Sequence, residues 1–211
     1  MTNIAELSQN LNPTRPLLIV DADEVLLRFA EHLEEFFITQ GHELRLDSFQ
    51  ITGNVYERNT DIVASAETVK ELIGAFFEQC VESVPPVPGA ADALAALTSH
   101  YQIAVLTNVP QHCRERREKA LKELGFEYPV LSNAGAKGPA IKDLSTATNA
   151  LTAFVDDLPP HHASVAKHAP DVHRVHFVAD PRLAALIDKA EQAHTRIDDW
   201  QELEPYLRSL L

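Results

Sequence analysis

Five short apolar runs, rich in valine, isoleucine and leucine, recur along the chain. They read LLIVD at 17–21, QIAVLTN at 102–108, PVLSN at 129–133, LTAFVDD at 151–157 and VHRVHFV at 172–178. Runs of this length and composition are typical of strands buried on both faces. Helical patterns lie between or after the later runs, at 89–100, 111–125, 138–150 and 158–170. This alternation predicts an α/β fold: a Rossmann-like parallel sheet flanked by helices.

The connection after the first run interrupts this alternation. The segment from Arg28 to Val84 is far longer than the usual loop of a few residues. Its two ends read as amphipathic helices, and its polar middle contains a turn at Gly53 and Asn54. We therefore expect a core domain of residues 1–27 and 86–211, with a small helical cap domain formed by residues 28–85. The tail from Pro181 onward is helical in composition, and its Trp200 is expected to pack against the core.

Composition and charge restrict the classes of partner. A chain of 211 residues with 45% hydrophobic residues can bury a substantial core, and a net charge of -13 works against binding nucleic acid or anionic membranes. Cys80 and Cys113 form neither a Cys-x-x-Cys pair nor a zinc spacing, which suits a reducing compartment. With no signal-peptide pattern or long apolar run, we expect a cytoplasmic protein that acts on a small molecule. The oligomeric state stays open.

Polar residues follow three of the predicted strands at the point where each strand ends. They are Asp21 and Asp23 after the first run, Thr107 and Asn108 after the second, and Asp156 and Asp157 at the end of the fourth. Lys137 opens the helix that leads to the fourth run. Each pair alone would be an ordinary turn or cap, but the carboxyl ends of parallel strands meet at one edge of a sheet. The set therefore predicts a site.

These side chains suit phosphoryl transfer. Neighbouring carboxylates repel one another unless a hard cation such as Mg²⁺ neutralises them. One carboxylate can attack phosphorus to give an aspartyl phosphate, while a second acid protonates the leaving oxygen. Lys137 and Thr107 would hold the phosphoryl oxygens.

Four segments resemble the motifs of the haloacid dehalogenase superfamily of hydrolases: IVDADEVL, AVLTN, AKGP and FVDD, in this order. The segment 28–85 resembles the helical cap of that superfamily. The resemblance implies a role for each matching residue. Asp21 would be the nucleophile and a metal ligand, and Asp23 the general acid/base and a metal ligand through its carbonyl. Thr107 would bind the phosphate with Asn108 beside it, Lys137 would balance the charge, Asp157 would be a metal ligand, and Asp156 would contact the metal through water or contact its ligands.

The sequence departs from the motifs at two places. Glu24 stands where the superfamily usually has glycine, and we expect its side chain to point to solvent or, failing that, to line the pocket. In the third motif either Lys137 or Lys142 could be the functional lysine, and the helix-start position favours Lys137.

The remaining expectations concern the substrate. Acidic residues outnumber basic ones in 28–85, which disfavours a polyanionic substrate, and Arg58, with Arg45 and Tyr56, is a candidate contact to the substrate. The histidines between 161 and 176 are expected to be solvated helix residues and strand residues rather than a zinc site.

The sequence therefore predicts a Mg²⁺-dependent phosphatase that hydrolyses a small phosphorylated metabolite, a phosphate monoester, through an aspartyl-phosphate intermediate. Asp23, Asp156 and Asp157 disfavour cleavage of carbon–halogen bonds, for which the superfamily needs no metal. A sugar phosphomutase and a non-catalytic protein that binds a phosphorylated ligand remain as alternatives.

Overall fold

The computed structural model describes residues 3–211 and has a parallel sheet at its centre. The strands are β1 (Leu17–Val20), β2 (His42–Leu44), β3 (Val55–Glu57), β4 (Gln102–Thr107), β5 (Val130–Ser132), β6 (Thr152–Asp156), β7 (His173–His176) and β8 (Thr195–Arg196). Six of them form one sheet in the order β5-β4-β1-β6-β7-β8, and every neighbouring pair is parallel. The five apolar runs are the first five strands of this sheet along the chain, so the predicted α/β fold is confirmed.

Helices cover the sheet. They are α1 (Ile4–Asn10), α2 (Phe29–Thr39), α3 (Ala66–Cys80), α4 (Ala90–Leu97), α5 (Arg114–Glu123), α6 (Gly138–Ser145), α7 (Pro159–His168), α8 (Pro181–Ala184) and α9 (Trp200–Ser209). The four predicted crossover helices correspond to α4, α5, α6 and α7. The first turn of the predicted helix at 111–125 is a 3₁₀ turn, and α6 ends at Ser145, earlier than the sequence pattern.

The segment after β1 contains α2 and α3, as the sequence predicts, and between them a short antiparallel pair, β2 and β3, that it does not. These strands have three residues each, too few for a clear alternation. The two helices pack through aromatic rings, with the centroids of Phe29 and Phe76 5.3 Å apart and edge-on. We propose that residues 1–27 and 86–211 form a core domain and that residues 28–85 form a cap domain.

Trp200 packs against the core, as expected. Its side chain is buried, and its indole Nε1 donates to the carbonyl of Val25 at 2.9 Å. The C-terminal helix α9 thus supports the loop that follows β1. Within residues 3–211, no helix has both the length and the apolar character needed to cross a membrane.

The order of the strands indicates where in the sheet the predicted site lies. β1 lies between β4 and β6, so the chain leaves its carboxyl end at the point where the strand order reverses. Open parallel sheets bind ligands at such a point. Asp21, Thr107 and Asp156 all lie at this edge, at or directly after the carboxyl ends of β1, β4 and β6.

Candidate active site

A buried lysine joins two of the predicted aspartates. The Nζ atom of Lys137 lies 2.8 Å from Oδ1 of Asp21 and 2.7 Å from Oδ2 of Asp156. Burial alone lowers the pKa of Lys137, but the carboxylates of Asp156 and Asp21 outweigh it and raise that pKa above the ordinary value. The lysine is therefore a permanent positive charge between two acids.

Asp157 completes a group of acids that could hold a cation. Asp21, Asp156 and Asp157 are all buried, and one carboxylate oxygen from each lies within 4.8 Å of the others. Burial, opposed by Lys137 and reinforced by Asp156, raises the pKa of Asp21 to about 7. Burial, together with Asp156 and Asp21, also raises the pKa of Asp157 well above its ordinary value. One lysine does not balance three carboxylates, so the site has capacity for a further positive charge.

The local sequence explains why Lys137 reaches this position. It directly precedes α6, and Gly138 follows it at the first turn. A Cβ at position 138 would clash with the backbone and side-chain oxygens of Ser164 on α7, so glycine is required for this close approach. Lys142, the alternative in the sequence, is exposed on α6. The structure brings Lys137 to the acids and places Lys142 on the exposed face of α6.

Asp23 has a partner that the sequence did not indicate. Its Oδ1 accepts a hydrogen bond from Nη2 of Arg117 at 3.0 Å, and this arginine is buried on α5. The two residues are 94 positions apart, and α5 reads from the sequence as a charged, solvated helix. Arg117 fixes the carboxyl group of Asp23 beside the three acids.

The polar pair after β4 divides between burial and exposure. Thr107 is buried, and its Oγ1 accepts a hydrogen bond from the backbone N–H of Val109 at 3.3 Å. Asn108 donates from Nδ2 to the carbonyl of Gly135 at 3.0 Å and lines the cavity next to Asp21. Asn108 therefore lines the cavity, whereas Thr107 is fully buried and is not part of the lining.

The side chain of Glu24 is buried, so the prediction that it points to solvent is wrong. Its side chain is only 3% exposed, and its φ angle is +58°, in the left-handed region that favours glycine. The two carboxylate oxygens accept hydrogen bonds from the backbone N–H groups of Ala30 at 2.6 Å and Asp180 at 2.9 Å. Burial raises the pKa of Glu24 to about 7. These two hydrogen bonds stabilise the strained turn. Glu24 lines the cavity, which was the alternative expectation.

A cavity of about 260 Å³ opens beside the acids. Its polar lining comes from Asp21, Asp23, Glu24, Asn108, Asp157 and His161. Its apolar lining comes from Phe29, Ala30, Phe49, Ile51, Phe77, Leu158 and Leu183. Five of these apolar residues belong to the segment after β1, which therefore covers the sheet edge.

Arg58, expected at the substrate, is not brought to this site. It is exposed after β3 and lies outside the lining of the cavity. Arg45 is also engaged elsewhere, with its guanidinium 2.8 Å from Asp61 and 4.2 Å from the ring centroid of Tyr56. Arg45, a candidate substrate contact from the sequence, thus belongs to a local cluster with Asp61 and Tyr56.

His161, His162 and His176 are all buried. The expectation that the helix histidines are solvated is therefore wrong for His161 and His162. His162 on α7 and His176 on β7 each donate from Nε2 at 2.9 Å, to the carbonyls of Asp156 and Asp157 respectively. They hold the backbone that carries both acids. His161 lines the cavity, and its Nδ1 has no partner among residues 3–211.

The burial of His162 predicts a pH-dependent stability. Burial lowers its pKa from 6.5 to about 4. Below pH 6.5 the unfolded chain binds a proton that the folded protein does not, so stability falls as the pH drops towards 4, by about 3 kcal/mol for this residue. We expect His162→Gln, which keeps a donor for the Asp156 carbonyl, to reduce the loss between pH 7 and pH 4.5 by about 2 kcal/mol, measured by urea unfolding.

Between pH 7 and pH 8 the imidazole is neutral in both states. The two proteins should therefore show parallel stability curves there, which provides an internal control. An equal loss of stability in both proteins below pH 6.5 would contradict the assignment.

Comparison with known proteins gives similarity at the level of the fold. No protein-family model and no curated protein sequence matches the chain. A haloacid dehalogenase-like hydrolase from Streptococcus pneumoniae matches 93% of this chain with all of its own, at a TM-score of 0.62 and 13% identity. A hydrolase of the same type from Deinococcus radiodurans, solved with bound phosphate and sodium, covers 94% of this chain with 97% of its own, at a TM-score of 0.61 and 16% identity.

A proposed β-phosphoglucomutase from Thermotoga maritima matches 94% of this chain with all of its own, at a TM-score of 0.57 and 18% identity. The chain therefore has the fold of the haloacid dehalogenase-like hydrolases, and the resemblance seen in the four motifs is confirmed at that level.

Proposed function

We propose that the protein is a Mg²⁺-dependent phosphatase that hydrolyses a small phosphate monoester through a phosphoaspartate at Asp21. The observation that carries this proposal is the buried group of Lys137, Asp21 and Asp156, with Asp157, beneath a cavity that also contains Asp23. An enzyme of this type needs a nucleophile, a proton donor and positive charge at one point.

The residues divide the two steps of the reaction between them. In the first step, a carboxylate oxygen of Asp21 bonds to phosphorus, the ester P–O bond breaks, and Asp23, as general acid, gives a proton to the leaving alcohol. In the second step, Asp23 takes a proton from water, whose oxygen attacks phosphorus and releases Asp21 and phosphate. Arg117 holds Asp23 in place for both steps, and Lys137 offsets the negative charge at Asp21.

The three buried carboxylates fit a magnesium ion. Their donors are hard oxygens, and the raised pKa values of Asp21 and Asp157 reflect negative charge that the apolar surroundings disfavour. Asp21, Asp156 and Asp157 would hold the ion, with the backbone carbonyl of Asp23 as a further ligand. When bound, Mg²⁺ supplies positive charge for the phosphoryl oxygens.

The charges around the cavity favour a phosphatase over a sugar phosphomutase. A mutase must hold a sugar with two phosphate groups, and the second group needs a cation. Within residues 3–211, no lysine or arginine lines the cavity. The second phosphate would instead face Asp23 and Glu24. A dehalogenase is also disfavoured, because that reaction has no use for Asp23 or for a metal site.

A panel of phosphate esters tests the proposed function. With Mg²⁺ we expect release of inorganic phosphate from at least one ester, and loss of this activity in EDTA with recovery when Mg²⁺ is restored. Hydrolysis that is unchanged in EDTA would contradict the proposal. A rise in melting temperature with phosphorylated ligands, without hydrolysis of any ester, would instead favour a non-catalytic binding protein.

A further inference from the structure

The walls of the cavity differ in character from its floor. The floor, at the carboxyl ends of the strands, carries the aspartates and Asn108. The wall contributed by the segment after β1 consists of Phe29, Ala30, Phe49, Ile51 and Phe77. A ligand whose phosphoryl group lies at the aspartates therefore places the rest of its structure against apolar side chains.

The basic residues of this segment are all engaged away from the cavity or exposed. Arg28 pairs with Glu31, Arg45 with Glu43 and Asp61, and Lys70 lies 3.5 Å from Glu67, while Arg58 is exposed. A second anionic group on the ligand would enter a pocket that already holds several acids, with no counter-charge. Burying such an unpaired charge is costly, so a second phosphate or a carboxylate is selected against.

Hydroxyl-rich ligands are also disfavoured. Outside the acids needed for the reaction, the polar side chains of the lining are Glu24, Asn108 and His161. Both carboxylate oxygens of Glu24 already accept hydrogen bonds from backbone N–H groups. Most hydroxyl groups of a sugar would lose water and meet aromatic or aliphatic carbon, without a replacement hydrogen bond. The volume of about 260 Å³ lies below the roughly 300–1,000 Å³ that is usual for small-molecule sites, which limits the ligand to a small organic group.

We propose that the substrate is a phosphate monoester of a small apolar alcohol, with an aryl or branched alkyl group and no second charge. This inference rests on the proposed phosphatase function and specifies the leaving group. Ile51 and Phe49, both half-buried, are the residues that determine specificity, because they form the wall that the alcohol contacts.

Binding of non-hydrolysable phosphonates tests the inference separately from catalysis. In the presence of Mg²⁺, we expect calorimetry to give a Kd for benzylphosphonate at least ~10-fold lower than for 2-hydroxyethylphosphonate, in line with the discrimination a hydrophobic pocket provides. Ile51→Ser and Phe49→Ser should each remove most of this advantage. Ile62→Ser is the matched control, since Ile62 belongs to the same segment but is 56% exposed and outside the cavity.

Hydrolysis of benzyl phosphate and glucose 6-phosphate, both esters of primary alcohols, then separates the proposed ligand class from the proposed phosphatase function. We expect kcat/KM to be at least ~10-fold higher for benzyl phosphate. Equal binding of both phosphonates, no binding of either, or an advantage that survives Ile51→Ser and Phe49→Ser would overturn the apolar ligand class. Preferential binding of benzylphosphonate without hydrolysis of any ester would support the ligand class and contradict the phosphatase function.

Discussion

Replacing Asp21 with asparagine is expected to lower kcat by at least ~1,000-fold without lowering the melting temperature, because the amide cannot attack phosphorus. Stability should be kept, since Asp21 is buried among other acids and its pKa is raised to about 7, so ionisation is unfavourable at this position. Asparagine has nearly the same shape and removes that charge. Lys137 keeps its ion pair with Asp156.

Asp143→Asn is the matched control for this experiment. Asp143 is exposed on α6 and lies outside the lining of the cavity, so its variant should retain the kcat of the wild type within about twofold. Its stability should also change little, as is usual for surface substitutions. Phosphate release would be followed under saturating ester and Mg²⁺, with melting curves of both variants. Substantial turnover by Asp21→Asn would exclude Asp21 as the nucleophile.

The strands and the floor of the site were predictable because their signals are local. A strand buried on both faces must be a continuous apolar run, and Asp21, Lys137 and Asp157 follow from the ends of those runs and from their order. The edge strand β8 was not predictable, because its two residues, Thr195 and Arg196, carry no pattern.

Interactions between distant elements account for what the sequence did not reveal. Arg117 looks like one of several charges on a solvated helix, and only packing of α5 against the loop after β1 brings it to Asp23. His162 likewise looks solvated until α7 packs against β7 and buries it. The departure at Glu24 did contain a usable signal, because glycine is the default residue where a turn needs a positive φ angle. Glu24 has such an angle, and both of its carboxylate oxygens accept hydrogen bonds from backbone N–H groups.

Replacing Lys137 with methionine is expected to be the most destabilising single change at the site. Methionine can fill the space of the aliphatic stem, but it leaves Asp21 and Asp156 buried without their shared partner. Breaking a buried ion pair in this way costs about 3–5 kcal/mol. The free energy of unfolding, measured in urea at pH 8, gives this loss directly.

The pH dependence of this loss distinguishes electrostatics from packing. Once Lys137 is absent, the pKa of Asp21 should rise further from its value of about 7, because the lysine is what lowers it. At pH 6 Asp21 would then be protonated and neutral in the folded variant, so the destabilisation should be smaller at pH 6 than at pH 8. Lys142→Met, on the exposed face of α6, should change stability by less than about 0.5 kcal/mol at either pH. An equal loss at both pH values would assign the effect to packing rather than to the buried charges.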